Sequence, residues 1–223
     1  MMKLENIVPW GRSLEEYIKM FNLTSQELNL SILDCGGGPS SFNAEMTNAG
    51  HKVISCDPIY QFTGEEIGRR IQETYPVIIK AAQDNKDKFV WRDIGSPEQL
   101  GKLRMASMQK FLEDFPQARG RYLTDELPNL SFANKQFDLA LCSHLLFTYS
   151  EQLSLEFHLA SILEMYRVAT EVRVFPLLTN FIGEVSPYLQ PVMSELAAYG
   201  CQVEIKQVSY EFQRNGNQFL QVI

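Results

Sequence analysis

A run of three glycines directly after a strand pattern constrains the fold of this chain more than any other feature. Residues 32–35 are apolar except for Asp34, and Gly36, Gly37 and Gly38 follow them. Glycine lets the backbone turn tightly into a helix, and it leaves room for a ligand to lie against main-chain atoms. The order predicts a buried strand that ends in a ligand-binding turn.

An acidic residue stands at the end of the next predicted strand. A helix is predicted over 41–49, before Gly50, and residues 51–56 have a strand pattern. Asp57 and Pro58 follow at the carboxyl end of that strand. A carboxylate in this position can accept hydrogen bonds from both hydroxyls of a ribose, so the segment indicates a nucleoside-binding site.

Two classes of ligand fit this order of elements. In the dinucleotide-binding fingerprint the acidic residue also comes about 20 positions after the first glycine. Here, however, Ser41 takes the position of the third glycine, and Asp34 stands just before the turn. A carboxylate aimed at the turn would repel a pyrophosphate but would suit a ligand that carries sulfonium and ammonium groups. S-adenosylmethionine carries both groups.

The glycine segment resembles the first motif of the class I S-adenosylmethionine-dependent methyltransferases. That motif has the pattern apolar-apolar-(Asp/Glu)-x-G-x-G-x-G, and Ser40 replaces its last glycine here. The resemblance implies that Asp34, the three glycines, Asp57 and Pro58 bind the cofactor S-adenosylmethionine.

A second segment is similar to the same family. Residues 127–142, LPNLSFANKQFDLALC, resemble its stretch L-P-F-x-x-x-x-F-D-L, with residues 130–132 in the L-P-F position. By that resemblance Glu126 would bind the adenine amino group, and the backbone amide of Leu127 would face a ring nitrogen. Asp125 stands beside Glu126 and could take its place.

The rest of the chain predicts one α/β domain over residues 1–223. Its sheet is expected to have seven mostly parallel strands and an antiparallel C-terminal hairpin, with helices on both faces. The resemblance implies the same sheet. The predicted C-terminal elements are a crossover helix over 151–169, a strand over 172–178, a helix over 192–199, and strands over 202–212 and 218–223 around an Asn-Gly turn.

Residues 60–121 form a helical insertion between the second and third strands, longer than such a connection requires. Capping patterns predict a helix from Thr63 toward Pro76 and a second helix from Ser96. The apolar face of the second helix is predicted to contain Leu100, Leu103, Ser107, Phe111 and Phe115.

The insertion has two interpretations. Its slight excess of basic residues, in a chain of net charge −7, favours a lid over the methyl donor that accepts a substrate with a negative charge. Tyr60, Trp91 and Arg92 are the side chains expected near the donor. The alternative is a solvated helical decoration.

A capping box from Ser13 to Glu16 predicts a helix within an N-terminal cap over 1–28. Arg12 precedes this helix and could pair with the carboxylate of the cofactor or with an acidic acceptor. The alternative is an exposed arginine at the start of a helix.

The segment after the fourth predicted strand contains candidates for the site of methyl transfer. Ser143 is expected near the methionine end of the cofactor, and His144 and Tyr149 are the candidate catalytic residues. A neutral imidazole can accept a proton near pH 7, although His144 could equally be structural. The donor is already a reactive sulfonium, so holding the acceptor in line can supply much of the acceleration.

Composition narrows the choice of partners. A net charge of −7 disfavours nucleic acid, and no apolar run is long enough to cross a membrane, so a cytoplasmic protein is expected. The cysteines are expected to be reduced, and no metal site is predicted because paired cysteines and histidines are missing. The sequence therefore predicts a methyltransferase that acts on an O, N or C atom of a small molecule. The alternative is a catalytically silent module that binds S-adenosylmethionine or a nucleoside.

Overall fold

The structure is a computed structural model, and it describes residues 7–118, 120–179 and 183–223. Part of the predicted N-terminal cap and residue 119 of the insertion lie outside these ranges. Within them the helices are α1 (Leu14–Phe21), α2 (Phe42–Asn48), α3 (Gly64–Asp84), α4 (Pro97–Asp114), α5 (Leu155–Val168) and α6 (Leu189–Ala198). The strands are β1 (Ile32–Cys35), β2 (Val53–Cys56), β3 (Tyr122–Leu123), β4 (Phe137–Ser143), β5 (Ala169–Phe175), β6 (Val203–Gln207) and β7 (Gln218–Val222).

The strands of the described ranges form one seven-stranded sheet in the order β3-β2-β1-β4-β5-β7-β6. Neighbouring strands from β3 to β5 pair in parallel, and β7 pairs antiparallel with both β5 and β6. This order confirms the predicted sheet. The chain has the fold of the class I methyltransferases.

Helices cover both faces of the sheet, as predicted. Alternate residues of β4 enter different apolar clusters: Ala140 and Cys142 pack with α5 and α6, whereas Leu139 and Leu141 pack with α1 and α2. Such two-sided burial explains why the strands read as continuous apolar runs. In the described ranges no helix is long and apolar enough to cross a membrane.

The helical insertion lies between β2 and β3, as predicted, but its first helix does not stop before Pro76. Helix α3 continues through this proline to Asp84. A proline inside a helix costs about 3 kcal/mol, because it removes one hydrogen bond and crowds the preceding turn. Burial of Ile71, Ile78 and Ala82 on both sides of Pro76 offsets that cost.

The predicted apolar face of α4 is wrong at one position. Leu103 is 51% exposed, and the next residue, Arg104, is 1% exposed. Leu100, Ser107 and Phe111 are buried as expected. Arg104 takes a core position because it has a partly buried acidic partner, which is described below with the site.

The C-terminal hairpin is antiparallel as predicted, but its tight turn at Asn215-Gly216 is wrong. Strand β6 ends at Gln207, and residues 208–217 form a longer loop. Within it the carbonyl oxygen of Phe212 accepts from the backbone N–H of Val90 at 2.7 Å, and the Phe212 ring stacks on Phe89. The loop therefore pairs with the insertion instead of extending β6.

The fifth strand is shifted from its predicted range. Strand β5 begins at Ala169 and ends at Phe175, before Pro176, which has no N–H to continue the ladder. Helix α5 starts at Leu155, where the side chain of Ser154 caps it.

Candidate functional site

A cavity of about 430 Å³ lies at the carboxyl ends of β1, β2 and β4. The position is where open α/β sheets bind their ligands. Its wall is built from the glycine turn after β1, Asp57 and Pro58 after β2, the segment 143–149 after β4, the N-terminal segment 7–12, and parts of the insertion and of the β6–β7 loop.

The glycine turn leaves no room for side chains on two of its residues. A Cβ on Gly37 would lie 2.4 Å from Oδ2 of Asp34, and one on Gly36 would lie 2.7 Å from Cδ2 of Leu145. Gly36 and Gly38 also have φ angles of +67° and +53°, which glycine adopts without strain. At Gly38 the nearest atom to a Cβ is 3.9 Å away, so the turn presents bare backbone beside Asp57.

Asp57 has the geometry that a ribose site requires. Its two carboxylate oxygens each accept one backbone N–H, from Gly38 at 2.9 Å and from Ile59 at 2.8 Å. Each oxygen keeps a further lone pair for a ligand hydroxyl. Burial raises the pKa of Asp57, and the two N–H groups oppose that rise.

Asp34 lies beneath the glycine turn and does not line the cavity. Its carboxylate accepts hydrogen bonds from Tyr17 Oη at 3.0 Å and from Ser55 Oγ at 2.9 Å. Burial raises the pKa of Asp34 to about 7, although both hydrogen bonds act against it. Tyr17 lines the cavity above it.

The Asp34 carboxyl should make the stability of the protein depend on pH. Its folded pKa of about 7 exceeds the ordinary value of 3.8, so the stability it contributes is full below pH 3.8 and is lost as the pH rises to about 7. The shift corresponds to roughly 4 kcal/mol. In urea titrations from pH 4 to 8, the free energy of unfolding of the wild type should therefore fall relative to that of Asp34→Asn. Exposed Asp93→Asn is the control, and identical pH profiles for wild type and Asp34→Asn would contradict the assignment.

The predicted adenine-binding residues lie beside the cavity but not in its wall. Asp125 is engaged, because its carboxylate accepts from the N–H and the hydroxyl of Ser131. Glu126 is exposed on a turn, and within the described residues its carboxylate makes no hydrogen bond. The negative charge of Glu126 adds to the effect of burial in raising the pKa of Asp57. Leu127 is buried in the core.

The N-terminal segment is fastened to the glycine turn. The backbone N–H of Arg12 donates to Ser40 Oγ, and the carbonyl oxygen of Arg12 accepts from the N–H of Ser41, both at 3.1 Å. A Cβ on Gly11 would lie 2.0 Å from the carbonyl oxygen of Pro39. Only glycine permits this approach.

Replacing Gly11 with alanine should push the N-terminal segment away from the turn. We expect the free energy of unfolding to fall by about 1 to 3 kcal/mol, as in other overpacked sites. Gly68→Ala, inside α3, is the matched control, because a Cβ there would make only an ordinary contact of 3.5 Å with Leu112 of α4. Urea denaturation of both variants checks this, and an unchanged midpoint for Gly11→Ala would refute the close approach.

Arg12 presents unused donors beside the cavity that it lines. Its Nη1 donates to the carbonyl oxygen of Trp10 at 3.2 Å, and its Nε is buried without a partner. Burial and the nearby cation Arg104 lower the pKa of Arg12 to about 10, so it stays charged at neutral pH. Binding an anion would satisfy these groups.

Glu16 of α1 forms hydrogen bonds with both the insertion and the β6–β7 loop. The Nη1 of Arg104 in α4 donates to its Oε2 at 2.5 Å, and the hydroxyl of Tyr210 donates to its Oε1 at 3.2 Å. Burial alone would raise the pKa of Glu16, but Arg104 outweighs it and lowers the pKa to about 2. The pair fixes α1 against the insertion.

The segment after β4 brings Ser143, His144 and Tyr149, the candidate residues of the sequence analysis, to the cavity wall. His144 has a φ of +56°, and its Nδ1 lies 2.9 Å from Ser143 Oγ. Burial, with Arg12 and Arg104, lowers the pKa of His144 well below 6.5, so its imidazole is neutral. The hydroxyl of Tyr149 accepts from the N–H of Val8 at 3.3 Å.

The sequence of a protein from Methanocaldococcus jannaschii, the uncharacterized protein MJ0045, is 33% identical over 220 residues, covering 98% of this chain and 97% of its own. The chain belongs to the family of that protein. No protein-family model matches the chain.

Solved structures show weaker likeness to this member of the MJ0045 family. Magnesium protoporphyrin IX methyltransferase from Synechocystis PCC 6803, with bound SAM, has a TM-score of 0.47 at 14% identity over 94% of this chain and 76% of its own. The PH0226 protein of Pyrococcus horikoshii has a TM-score of 0.47 at 10% identity over 93% and 89% of the two chains. Such scores do not establish a shared fold, so the fold assignment rests on the strand order.

Three side chains of the insertion were predicted near the donor, and Trp91 and Arg92 lie elsewhere. Arg92 is exposed, and the indole N–H of Trp91 donates to the carbonyl oxygen of Lys86. Tyr60 is buried beside Phe111, and its hydroxyl donates to the carbonyl oxygen of Gly38 in the glycine turn at 2.8 Å. Of these, none lines the described cavity. Its wall is formed instead by residues that the sequence analysis did not single out: Phe62, Arg70, Ile78, Ala82, Phe89 and Phe212.

Two missed residues had a signal in the sequence. Gly11 is a lone glycine directly before a helix-capping box, a place where backbone approach is common. Arg104 falls on the apolar face of α4, between Leu100 and Met108 at helical spacing, which marks a buried charge that needs a partner.

Proposed function

We propose that this protein is an S-adenosylmethionine-dependent methyltransferase that acts on an O, N or C nucleophile of a small molecule. The observation that carries the proposal is the glycine turn between Asp57, with one free lone pair on each carboxylate oxygen, and Arg12, with unpartnered donors. A nucleoside that also carries an amino acid fits both ends of this arrangement. A dinucleotide would instead place its pyrophosphate against the glycine turn, directly above the Asp34 carboxyl.

The residues around the glycine turn would each bind a different part of the cofactor. Asp57 would hold the ribose hydroxyls, and Pro58 lies in the wall beside it. Glu126, with the amide of Leu127, would take the adenine ring. Arg12 would bind the carboxylate of the methionine end, and the buried Asp34 under Tyr17 would favour its positive charges.

When bound, S-adenosylmethionine supplies a methyl group whose bond electrons return to sulfur as the lone pair of the nucleophile forms the new bond. Ser143, His144 and Tyr149 line the same cavity. Ser143 would lie at the methionine end of the cofactor, and His144 and Tyr149 would orient the acceptor. A lowered pKa makes His144 a weak base, so its contribution is a hydrogen bond to the nucleophile. Most of the acceleration would then come from alignment.

The insertion and the N-terminal segment would act as the lid of this site. Both contribute to the cavity wall, and Gly11 ties the N-terminal segment to the glycine turn. Closing the cavity keeps water from the methyl group. The charges that these two segments bring to the wall are positive, which supports an acceptor with a negative charge.

Transfer of a labelled methyl group tests the proposal. The purified protein is incubated with methyl-labelled S-adenosylmethionine and a panel of small aromatic and aliphatic acids, alcohols and amines, with Asp57→Ala as the control. With the donor well below saturation, we expect label in at least one acceptor with the wild type and about tenfold less, or lower still, with the variant. Binding of S-adenosylhomocysteine without transfer to any acceptor would favour the silent module instead.

A further inference from the structure

We propose that the insertion forms a chamber for the apolar body of the acceptor and that Arg70 at its edge binds an acceptor carboxylate. The acceptor is thus an aromatic carboxylic acid. The insertion chamber consists of the described cavity residues Ile78, Ala82, Phe89, Leu100 and Phe212. The proposal deepens the methyltransferase function, which it takes as its basis.

The insertion chamber is apolar and partly aromatic. It combines side chains of α3 and α4 with Phe89 and with Phe212 of the β6–β7 loop. The two phenyl rings stack with centroids 4.8 Å apart and an interplanar angle of 18°. None of these residues belongs to the segments that hold the cofactor. An aromatic ring system is the ligand that such a wall accommodates best.

Arg70 is an exposed cation in the cavity wall, and it lies on α3, the same helix that provides Ile78 and Ala82 of the chamber. Its guanidinium lies over the ring of Phe62, 3.7 Å from the centroid. Within the described residues it forms no ion pair. Glu66, one helical turn earlier, is engaged with the N–H and the hydroxyl of Thr63. A stacked guanidinium with free donors is suited to bidentate binding of a carboxylate.

The charged side chains of the cavity wall favour an acidic acceptor over a basic one. Among the described residues that line the cavity, the charged side chains are Arg12, Asp57 and Arg70. Asp57 is engaged by two backbone N–H groups and is assigned to the ribose. Arg12 lies against the glycine turn, at the cofactor end. Arg70 is left for the acceptor.

The test uses 2-naphthoate and its neutral isostere 2-naphthamide as probes, titrated by calorimetry into the full chain with and without S-adenosylhomocysteine. We expect naphthoate to bind about tenfold more tightly than naphthamide, near the lower end of the contribution of a hydrogen bond to a charged group. Arg70→Gln should remove this preference. Arg69→Gln is the matched control and should retain it, because Arg69 is the neighbouring exposed cation and does not line the cavity.

The chamber itself is tested by filling it. Ala82→Phe should weaken both probes about tenfold or more while leaving the affinity for S-adenosylhomocysteine unchanged, and Phe212→Ala provides a second variant with a milder change. Equal binding of the two probes to the wild type, or full binding of both to a folded Ala82→Phe protein, would overturn the proposal. Failure of the wild type to bind S-adenosylhomocysteine would refute the proposed function instead, and the naphthoate titrations would still decide the chamber.

Discussion

Replacing Asp57 with alanine should weaken the binding of S-adenosylhomocysteine about 10- to 100-fold, which corresponds to about 1.5 to 3 kcal/mol. The variant removes the acceptor for both ribose hydroxyls. It also releases the N–H groups of Gly38 and Ile59, which Asp57 holds at 2.9 and 2.8 Å, so the glycine turn becomes less ordered. Isothermal titration calorimetry measures the affinity.

The control for this prediction is Asp93→Ala, which removes an exposed aspartate that pairs with Arg92 and does not line the cavity. It should bind S-adenosylhomocysteine as the wild type does. Circular dichroism confirms that both variants are folded. An unchanged affinity in a folded Asp57→Ala protein would remove Asp57 from the site.

Replacing Arg104 with methionine should lower the free energy of unfolding by about 3 kcal/mol, because it leaves Glu16 without its buried counter-ion. The side chain of Arg104 is 1% exposed and that of Glu16 is 18% exposed, so solvent replaces little of the lost interaction. Methionine preserves most of the packing volume inside α4. Urea denaturation gives the free energy.

A double-mutant cycle separates the ion pair from packing. Glu16→Gln combined with Arg104→Met should be more stable than Arg104→Met alone, since the unpaired buried charge is gone. Lys110→Met, which breaks the exposed contact of Lys110 with Glu45, is the control and should cost less than 1 kcal/mol. Strict additivity of the two single changes would show that the pair does not couple α1 to the insertion.

The elements that carry local signals were predictable from the sequence. The glycine turn, Asp57 and the capping box of α1 each depend on residues close together in the chain, and the structure has all three. The continuous apolar runs of the central strands follow from burial on both faces of the sheet. These features, together with the resemblance to the methyltransferase family, were sufficient to predict a mostly parallel sheet with an antiparallel C-terminal hairpin.

The features that were not predictable depend on contacts between distant residues. The periodicity of α4 permits either Leu103 or Arg104 in the core, and the choice is made by Glu16, which is 88 positions away. The loop after β6 leaves the sheet because Phe212 pairs with the segment around Phe89. A single sequence can mark Arg104 as a buried charge but does not identify its partner, and it carries no signal for the pairing of Phe212, so the apolar part of the cavity was assigned to the wrong side chains.

The most direct test of the account is a calorimetric titration of the wild-type protein with S-adenosylmethionine, S-adenosylhomocysteine and NAD. The first two share the ribose for Asp57 and the carboxylate for Arg12, so we expect both to bind with comparable affinity. The pyrophosphate of NAD would lie against the glycine turn above the Asp34 carboxyl, so NAD should bind much more weakly than either. Binding of NAD without binding of S-adenosylmethionine would contradict the assignment of the site.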